Sequence, residues 1–249
     1  MLDRAAKSDP NDSAVKKPAR YVPPRDVQAI RLADLMDYCG RKIGPAQKSL
    51  FAGQDDQETN IFFAGDLALL KLKCVSVIGA RDVSAEGARR ARKVADSLAD
   101  AGVVITSGLA RGVDVEAHYG AISNGGSTVA VIGTPIEKSY PAEHARIQEK
   151  IYRDHLLISQ FPKGCRTFPS DFPRRNRLMA ALTDASIIVE ASDSSGTLHQ
   201  AAECVRLGRW LFIMKSVADR DDLDWPKKFL KENRVVVLNE FADVLERIL

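Results

Sequence analysis

The chain has 249 residues, of which 45% are apolar, 28% charged and 6% aromatic, a composition that fits an ordinary globular domain with some extra segments and excludes a disordered or fibrous chain. Its 36 Lys plus Arg stand against 33 Asp plus Glu, so the formal charge is only +3 and nucleic acid could be held only where the cations are clustered. Apolar runs such as Ile187-Ile188-Val189 fall far short of the ~20 residues of a membrane helix, and Met1 opens a polar stretch without a hydrophobic signal core, so a cytoplasmic location with no membrane contact is expected. The cysteines, Cys39, Cys74, Cys165 and Cys204, lack CxxC spacing and read as unlinked thiols, and no metal centre or cofactor is expected.

Residues 1–20 mix Lys, Asp, Ser and Pro with almost no large apolar side chains, too little to offset the entropy of ordering, and read as a tail. Over 25–40 the positions Val27, Ile30, Leu32, Leu35 and Met36 recur near helical spacing, which predicts one amphipathic helix before an irregular Gly44-Pro45 connection. Residues 21–65 are therefore expected as a short helical N-terminal extension, and 66–249 as the main domain. From Cys74 onward, short β-rich apolar runs alternate with helical stretches. Strands are predicted at 74–78, 103–106, 128–132, 156–159, 185–190, 210–214 and 235–238, with helices at 84–100, 112–123, 143–153, 173–183, 195–207, 224–232 and 240–248. Such alternation specifies an α/β fold with a doubly wound, mostly parallel sheet covered on both faces.

In such a sheet, ligands bind outside the carboxyl ends of the strands, where helix N-termini and glycine turns converge. Gly79-Ala80-Arg81 follows the first predicted strand, Ser107-Gly108-Leu109-Ala110-Arg111-Gly112-Val113-Asp114 the second, and Ala191-Ser192-Asp193-Ser194-Ser195-Gly196-Thr197 the fifth. Small residues, hydroxyls and arginines at helix starts suit a phosphate or another anion, which nominates Gly79, Arg81, Ser107, Gly108, Arg111, Gly112, Ser195, Gly196 and Thr197. The dinucleotide fingerprint G-x-G-x-x-G and the phosphate loop G-x-x-x-x-G-K-[ST] are both missing, which disfavours a nicotinamide cofactor and nucleotide hydrolysis of that type.

The densest cluster of cations, Lys163, Arg166, Arg174, Arg175 and Arg177, faces one acid, Asp171, and is interleaved with Pro162, Phe168, Pro169, Phe172 and Pro173. Cations that track phosphates beside aromatic faces on which bases stack are what a single nucleic-acid strand requires. Arginines at a helix start also oppose the helix dipole, a placement that an anionic partner would offset. Catalytic candidates are sparse: His118, His144, His155 and His199 stand apart, and Ser195, Thr197 and His199 are too close in sequence for a triad and lack the G-x-S-x-G elbow.

These stretches resemble the DNA-processing protein A (DprA, also called Smf) family. The resemblance is carried by the stretch Ile61 to Leu70, by Val77-Ile78-Gly79-Ala80-Arg81 and by Ser107 to Asp114 with Ala117-His118. It continues through Tyr140-Pro141 with Glu143, Phe172-Pro173-Arg174-Arg175-Asn176-Arg177, and Val189-Glu190-Ala191 with Ser195-Gly196-Thr197, so that it covers roughly 61–214. It implies an extended Rossmann-like fold that binds single-stranded DNA in a basic pocket, usually as a homodimer, and assists loading of a RecA-like recombinase in recombination or natural transformation, without catalysis. Carried over by position, Arg81 takes the family's strand-end arginine, Arg174, Arg175, Asn176 and Arg177 fall in its basic segment, and Lys138 lies near where the family often places another DNA-contacting basic residue.

The chain departs from that pattern in two places. Ala80 replaces the usual hydroxyl residue of the first triplet, and beyond Met214 the family's glycine and asparagine pattern gives way to an acidic 219–224 stretch, so that no winged-helix domain is expected within 215–249. A second, more distant resemblance links Arg175-Asn176-Arg177-Leu178-Met179 and Gly196-Thr197-Leu198-His199-Gln200 to LOG-type phosphoribohydrolases and related nucleotide-sensing, defence-associated domains. Gln200 stands where those hydrolases place a carboxylate, and Glu203 would have to replace it for oxocarbenium-type chemistry.

Overall fold

The computed structural model describes residues 20–41 and 59–249, and the elements below are those of the described residues. The strands are β1 (Gln28–Arg31), β2 (Asn60–Gly65), β3 (Cys74–Gly79), β4 (Val104–Ser107), β5 (Thr128–Ile132), β6 (Leu156–Ser159), β7 (Ala185–Glu190), β8 (Trp210–Met214) and β9 (Val235–Leu238). The helices are α1 (Leu32–Tyr38), α2 (Ala85–Asp100), α3 (Val113–Ser123), α4 (Ala145–Asp154), α5 (Asp171–Ala181), α6 (Thr197–Arg206), α7 (Lys215–Ala218), α8 (Trp225–Phe229) and α9 (Ala242–Ile248). They form one mixed, mostly parallel α/β sheet in the order β1-β2-β6-β5-β4-β3-β7-β8-β9, with β1 and β2 antiparallel at one edge.

The sheet is buried on both faces because successive side chains of its strands feed different cores. In β3, Cys74 and Ile78 join a core with α5, α6 and α8, while Val75 and Val77 join one with α2, α3 and α9. This explains why the strands read as continuous apolar runs rather than as alternation. From β3 the chain steps outward through β4 and β5 to β6, then returns to place β7 on the other side of β3. That reversal is the topological switch point, and it opens a crevice between the carboxyl ends of β3 and β7.

The segment 21–65 differs from the sequence expectation. Val27 is exposed, and Gln28, Ala29, Ile30 and Arg31 pair in antiparallel register with residues of β2, so the first half of the predicted 25–40 helix is a strand. Only Leu32–Tyr38 is helical, burying Leu32, Leu35 and Met36. β2 is a further strand that the helical reading does not contain. The reason is tertiary: β6 offers a free edge, and a short apolar run such as Ile61-Phe62-Phe63-Ala64 carries no periodicity that separates strand from helix. Residues 1–19 and the Gly44-Pro45 connection lie outside the described residues. The four cysteines are free, no helix among the described residues is long and apolar enough to cross a membrane, and none of their His, Cys, Asp and Glu side chains are grouped to hold a metal ion.

Candidate nucleic-acid interface

Two turns, those after β3 and β7, build the floor of the crevice. Ala80 N donates to the Glu190 carbonyl at 2.7 Å, and the Thr197 hydroxyl donates to the Gly79 carbonyl at 3.0 Å, so the turn after β3 is bolted to the turn after β7. The Glu190 carboxylate reaches across to α2, where it accepts the Ser84 N–H at 2.9 Å and the Ser84 hydroxyl at 2.7 Å. Ser84 in turn caps α2 by accepting the Gly87 N–H at 2.9 Å. One wall comes from far along the chain: Asp193 accepts the Trp225 N–H at 2.9 Å, and the Trp225 indole donates to the Ala191 carbonyl at 3.1 Å. These bonds bring Arg220 to the crevice rim, paired with Asp222.

The resulting crevice of about 810 Å³ gathers Gly79, Arg81, Arg175, Asn176, Ser195, Gly196 and Thr197 of the predicted residues. Arg81 is exposed, and its guanidinium carbon stands 5.5 Å from the centre of the Phe172 ring. Arg175 behaves differently. It is 5% exposed, its Nη1 donates to the Val131 carbonyl at 2.9 Å, and Asp114 lies 3.9 Å away, so it forms wall rather than reaching outward. Burial pulls the Arg175 pKa down and pushes the Asp114 carboxyl up, while each charge partly restores the other.

The loop after β4 serves this buried pair rather than the opening. A Cβ on Gly108 would lie 1.3 Å from Arg175 Nη1, so glycine is there to let the guanidinium lie across the backbone. Gly112 has φ of 74° and packs against the carbonyls of Ala80 and Arg81, where no side chain fits. Ser107 is fully buried and donates to the Val77 carbonyl at 2.7 Å. Arg111 is exposed but forms a two-point pair with Glu143, at 2.6 and 3.0 Å.

Two further depressions continue the crevice along the same edge. Tyr140, Pro169 and Phe172 are shared with a groove of about 710 Å³ that holds Lys138, whose Nζ donates to the Cys165 carbonyl at 2.7 Å. Phe168 joins that groove to a third pocket containing Arg166 and Arg174. Tyr140 and Phe168 are 54% and 51% exposed, with the Arg166 guanidinium 5.6 Å from the Phe168 ring centre and the Tyr140 and Phe172 rings 5.5 Å apart. Arg177 lines none of these three depressions. The expected clash of cations with the α5 dipole is met inside the chain: Asp171 opens the helix, with Arg174 Nη1 3.9 Å from its carboxylate.

Sequence reasoning did not select Glu190, Arg220 or the buried Asp114. Glu190 ends a strand and could have been marked by that position, whereas Arg220 reaches the crevice only through the packing of Trp225.

A model of the DNA recombination-mediator protein A family matches residues 46–249. The chain belongs to that family. Among other members, the DNA processing protein DprA of Streptococcus pneumoniae is 40% identical over 159 residues, which are 64% of this chain and 56% of that protein. Protein Smf of Escherichia coli is 33% identical over 76% of this chain and 50% of its own length, so the chain spans about half the length of these curated relatives. The crystal structure of the S. pneumoniae protein superposes with a TM-score of 0.74 at 31% identity, covering 90% of this chain and 75% of that one. A DNA processing protein A from Helicobacter pylori, described for its single-stranded DNA binding mode, shares the fold at a TM-score of 0.70 and 23% identity, covering 88% and 94% of the two chains.

Proposed function

We propose that this member of the DNA recombination-mediator protein A family binds single-stranded DNA along the carboxyl edge of its sheet, holding the strand for a RecA-like recombinase, as a homodimer. The observation that carries the reading is the coincidence of an exposed arginine on an aromatic face with half-exposed rings along one continuous edge: Arg81 over Phe172, then Tyr140, then Phe168. In this reading Arg81, with Asn176, Ser195, Gly196 and Thr197, seats a phosphate, and the rings take bases that a duplex would keep stacked inward. Arg174 and Lys138 track the backbone further along, and Arg175 holds the wall. Binding to the H. pylori relative supports the same class of ligand.

The crevice favours holding over turnover. Gln200 is buried and donates to the Ser76 hydroxyl at 3.1 Å, and Glu203 is paired with Arg206 at 2.8 Å outside the crevice. Neither offers a carboxylate to a glycosidic carbon, which weighs against the phosphoribohydrolase alternative.

The test is fluorescence anisotropy with labelled oligonucleotides of twenty or more bases over a salt series. Binding is expected at low salt, with log K falling against log salt by about 0.7 per phosphate neutralised. A small-nucleotide sensor would instead bind a mononucleotide as well as an oligonucleotide, and no binding to any oligonucleotide at low salt would overturn the proposal.

A further inference from the structure

We infer that residues 20–27 are a strap that adds a phosphate contact of its own to the DNA track, with Arg20 held at the Lys138 groove by Tyr21. The inference rests on the single-stranded DNA reading above and extends it to a part of the chain that precedes residue 46, where the match to the family model begins. Between Arg20 and β1 the backbone forms neither helix nor strand, and Pro23-Pro24 fixes two consecutive φ angles, so the segment is stiff without a ladder of its own.

The course of the strap is set by α4 and by the turn after β5. The Tyr21 hydroxyl donates to the Ile136 carbonyl at 2.8 Å and accepts the Gln148 Nε2–H at 2.9 Å, and the Tyr21 ring meets that of Tyr152 edge-on at 6.5 Å. Val22 N donates to the Glu149 carboxylate at 2.8 Å, and the Val22 carbonyl accepts the Tyr152 hydroxyl at 2.7 Å. These partners lie 115 to 130 residues further along the chain, so the strap is fixed by tertiary contacts rather than by local ones. Arg20 thereby lines the groove of about 710 Å³ with Lys138, Tyr140, Phe168 and Phe172, and it is exposed with no ion pair among the described residues. The one carboxylate in the groove is already engaged, since Glu137 accepts the Gly164 N–H at 2.5 Å, whereas Lys138 keeps its full charge because its partner is a carbonyl. Tyr140 and Phe172 line both this groove and the crevice, so a strand leaving the crevice passes between Lys138 and the strap, where an unpaired guanidinium suits a phosphate.

The experiment measures binding of a labelled oligothymidine of twenty bases over a salt series for the native chain, Arg20→Ala, Tyr21→Ala, the two combined, and Arg146→Ala. Arg146 is an exposed arginine of α4 that lines none of the three depressions along the edge, so its removal changes the net charge equally without touching the track. Arg20→Ala should weaken binding about eightfold at about 50 mM salt and about threefold at about 200 mM, a loss of about 0.7 in slope for one phosphate. Arg146→Ala should leave the slope unchanged. Tyr21→Ala keeps the charge of Arg20 but releases the strap, so it should lose the same contact, and the combined variant should be no weaker than Arg20→Ala alone. A slope for Arg20→Ala equal to that for Arg146→Ala, with binding intact, overturns the strap contact and leaves the DNA reading standing. No loss from Tyr21→Ala, or losses from the two changes that add, overturns the holding of Arg20 by Tyr21, and absence of binding by the native chain overturns both readings.

Discussion

Arg81 and Arg175 are both arginines of the crevice, and their surroundings give them opposite tasks. Arg81 is exposed over Phe172, so a charge-assisted phosphate contact worth about 1.5 to 3 kcal/mol is available to it. Arg81→Ala should therefore weaken oligonucleotide binding by about tenfold or more, while Arg90→Ala, on α2 beside Glu86, should change it little; equal small effects in anisotropy would place the site elsewhere. Arg175 is coupled to stability through the glycine it crosses. Gly108→Ala should lower the free energy of urea unfolding by about 1 to 3 kcal/mol, the usual cost of overpacking, because Arg175 Nη1 occupies the place of the new methyl. His118 is another buried polar group, and burial pushes its pKa down to about 3, with His144, His155 and Arg175 acting in the same direction. Its Nδ1 lies 2.7 Å from the Thr128 hydroxyl, which donates to the Ile105 carbonyl, so the neutral ring donates from Nδ1. The unfolded chain takes up a proton below roughly pH 6.5, whereas the folded chain does not until much lower pH. This contribution to stability is thus present above that pH and is lost toward acid, by up to about 1.4 kcal/mol per pH unit. His118→Asn should flatten the fall in urea stability between pH 7 and pH 5 relative to the native chain; identical slopes would show that the histidine does not titrate on unfolding.

At the scale of elements, the crevice depends on helix starts that are tied to neighbouring strand ends. Ser84 caps α2 and also donates to Glu190, so one hydroxyl fixes both the helix and the end of β7. Ser84→Ala should cost about 1 kcal/mol in a denaturant titration, as for other lost caps, and the loss should shrink when Glu190→Gln is already present, because the two changes remove a shared interaction. Additive losses would mean that the cap and the carboxylate act independently. The edge pair β1 and β2 extends the sheet beyond β6 and brings Phe62 to the pocket that holds Arg166 and Arg174. The predicted 25–40 helix misses this because Ile30 can satisfy either a helix or a strand until the partner edge is known.

For the whole molecule, a formal charge of +3 is too small to hold a polyanion by bulk attraction, so position must do what net charge does not. The doubly wound order concentrates the cations by returning the chain to β3: residues after β3, β7 and β8 meet at one reversal although they are spread from Gly79 to Arg220. This concentration is what the salt series measures, since its slope counts phosphates neutralised at one edge rather than overall charge.

The sequence by itself determined the seven parallel strands to within a residue or so, the alternation with helices, the absence of a dinucleotide or phosphate-loop fingerprint, and the family. Strands buried on both faces must be continuously apolar, and such runs bounded by turn residues are a local signal that survives without any knowledge of contacts. Of the three turns the sequence nominates, those after strands 74–79 and 185–190 meet at the switch point and the one after 104–107 does not, a distinction that only the strand order decides. What each arginine does was decided only by tertiary structure. Arg174, Arg175 and Arg177 are near neighbours in one basic segment, yet Arg175 turns inward onto Gly108 and Asp114 while Arg174 lies over Phe161 in another pocket. Burial, pairing and exposure are properties of what surrounds a side chain, and here the surroundings of a helix beginning at Asp171 are supplied by residues as distant as Phe62, Gly108 and Val131.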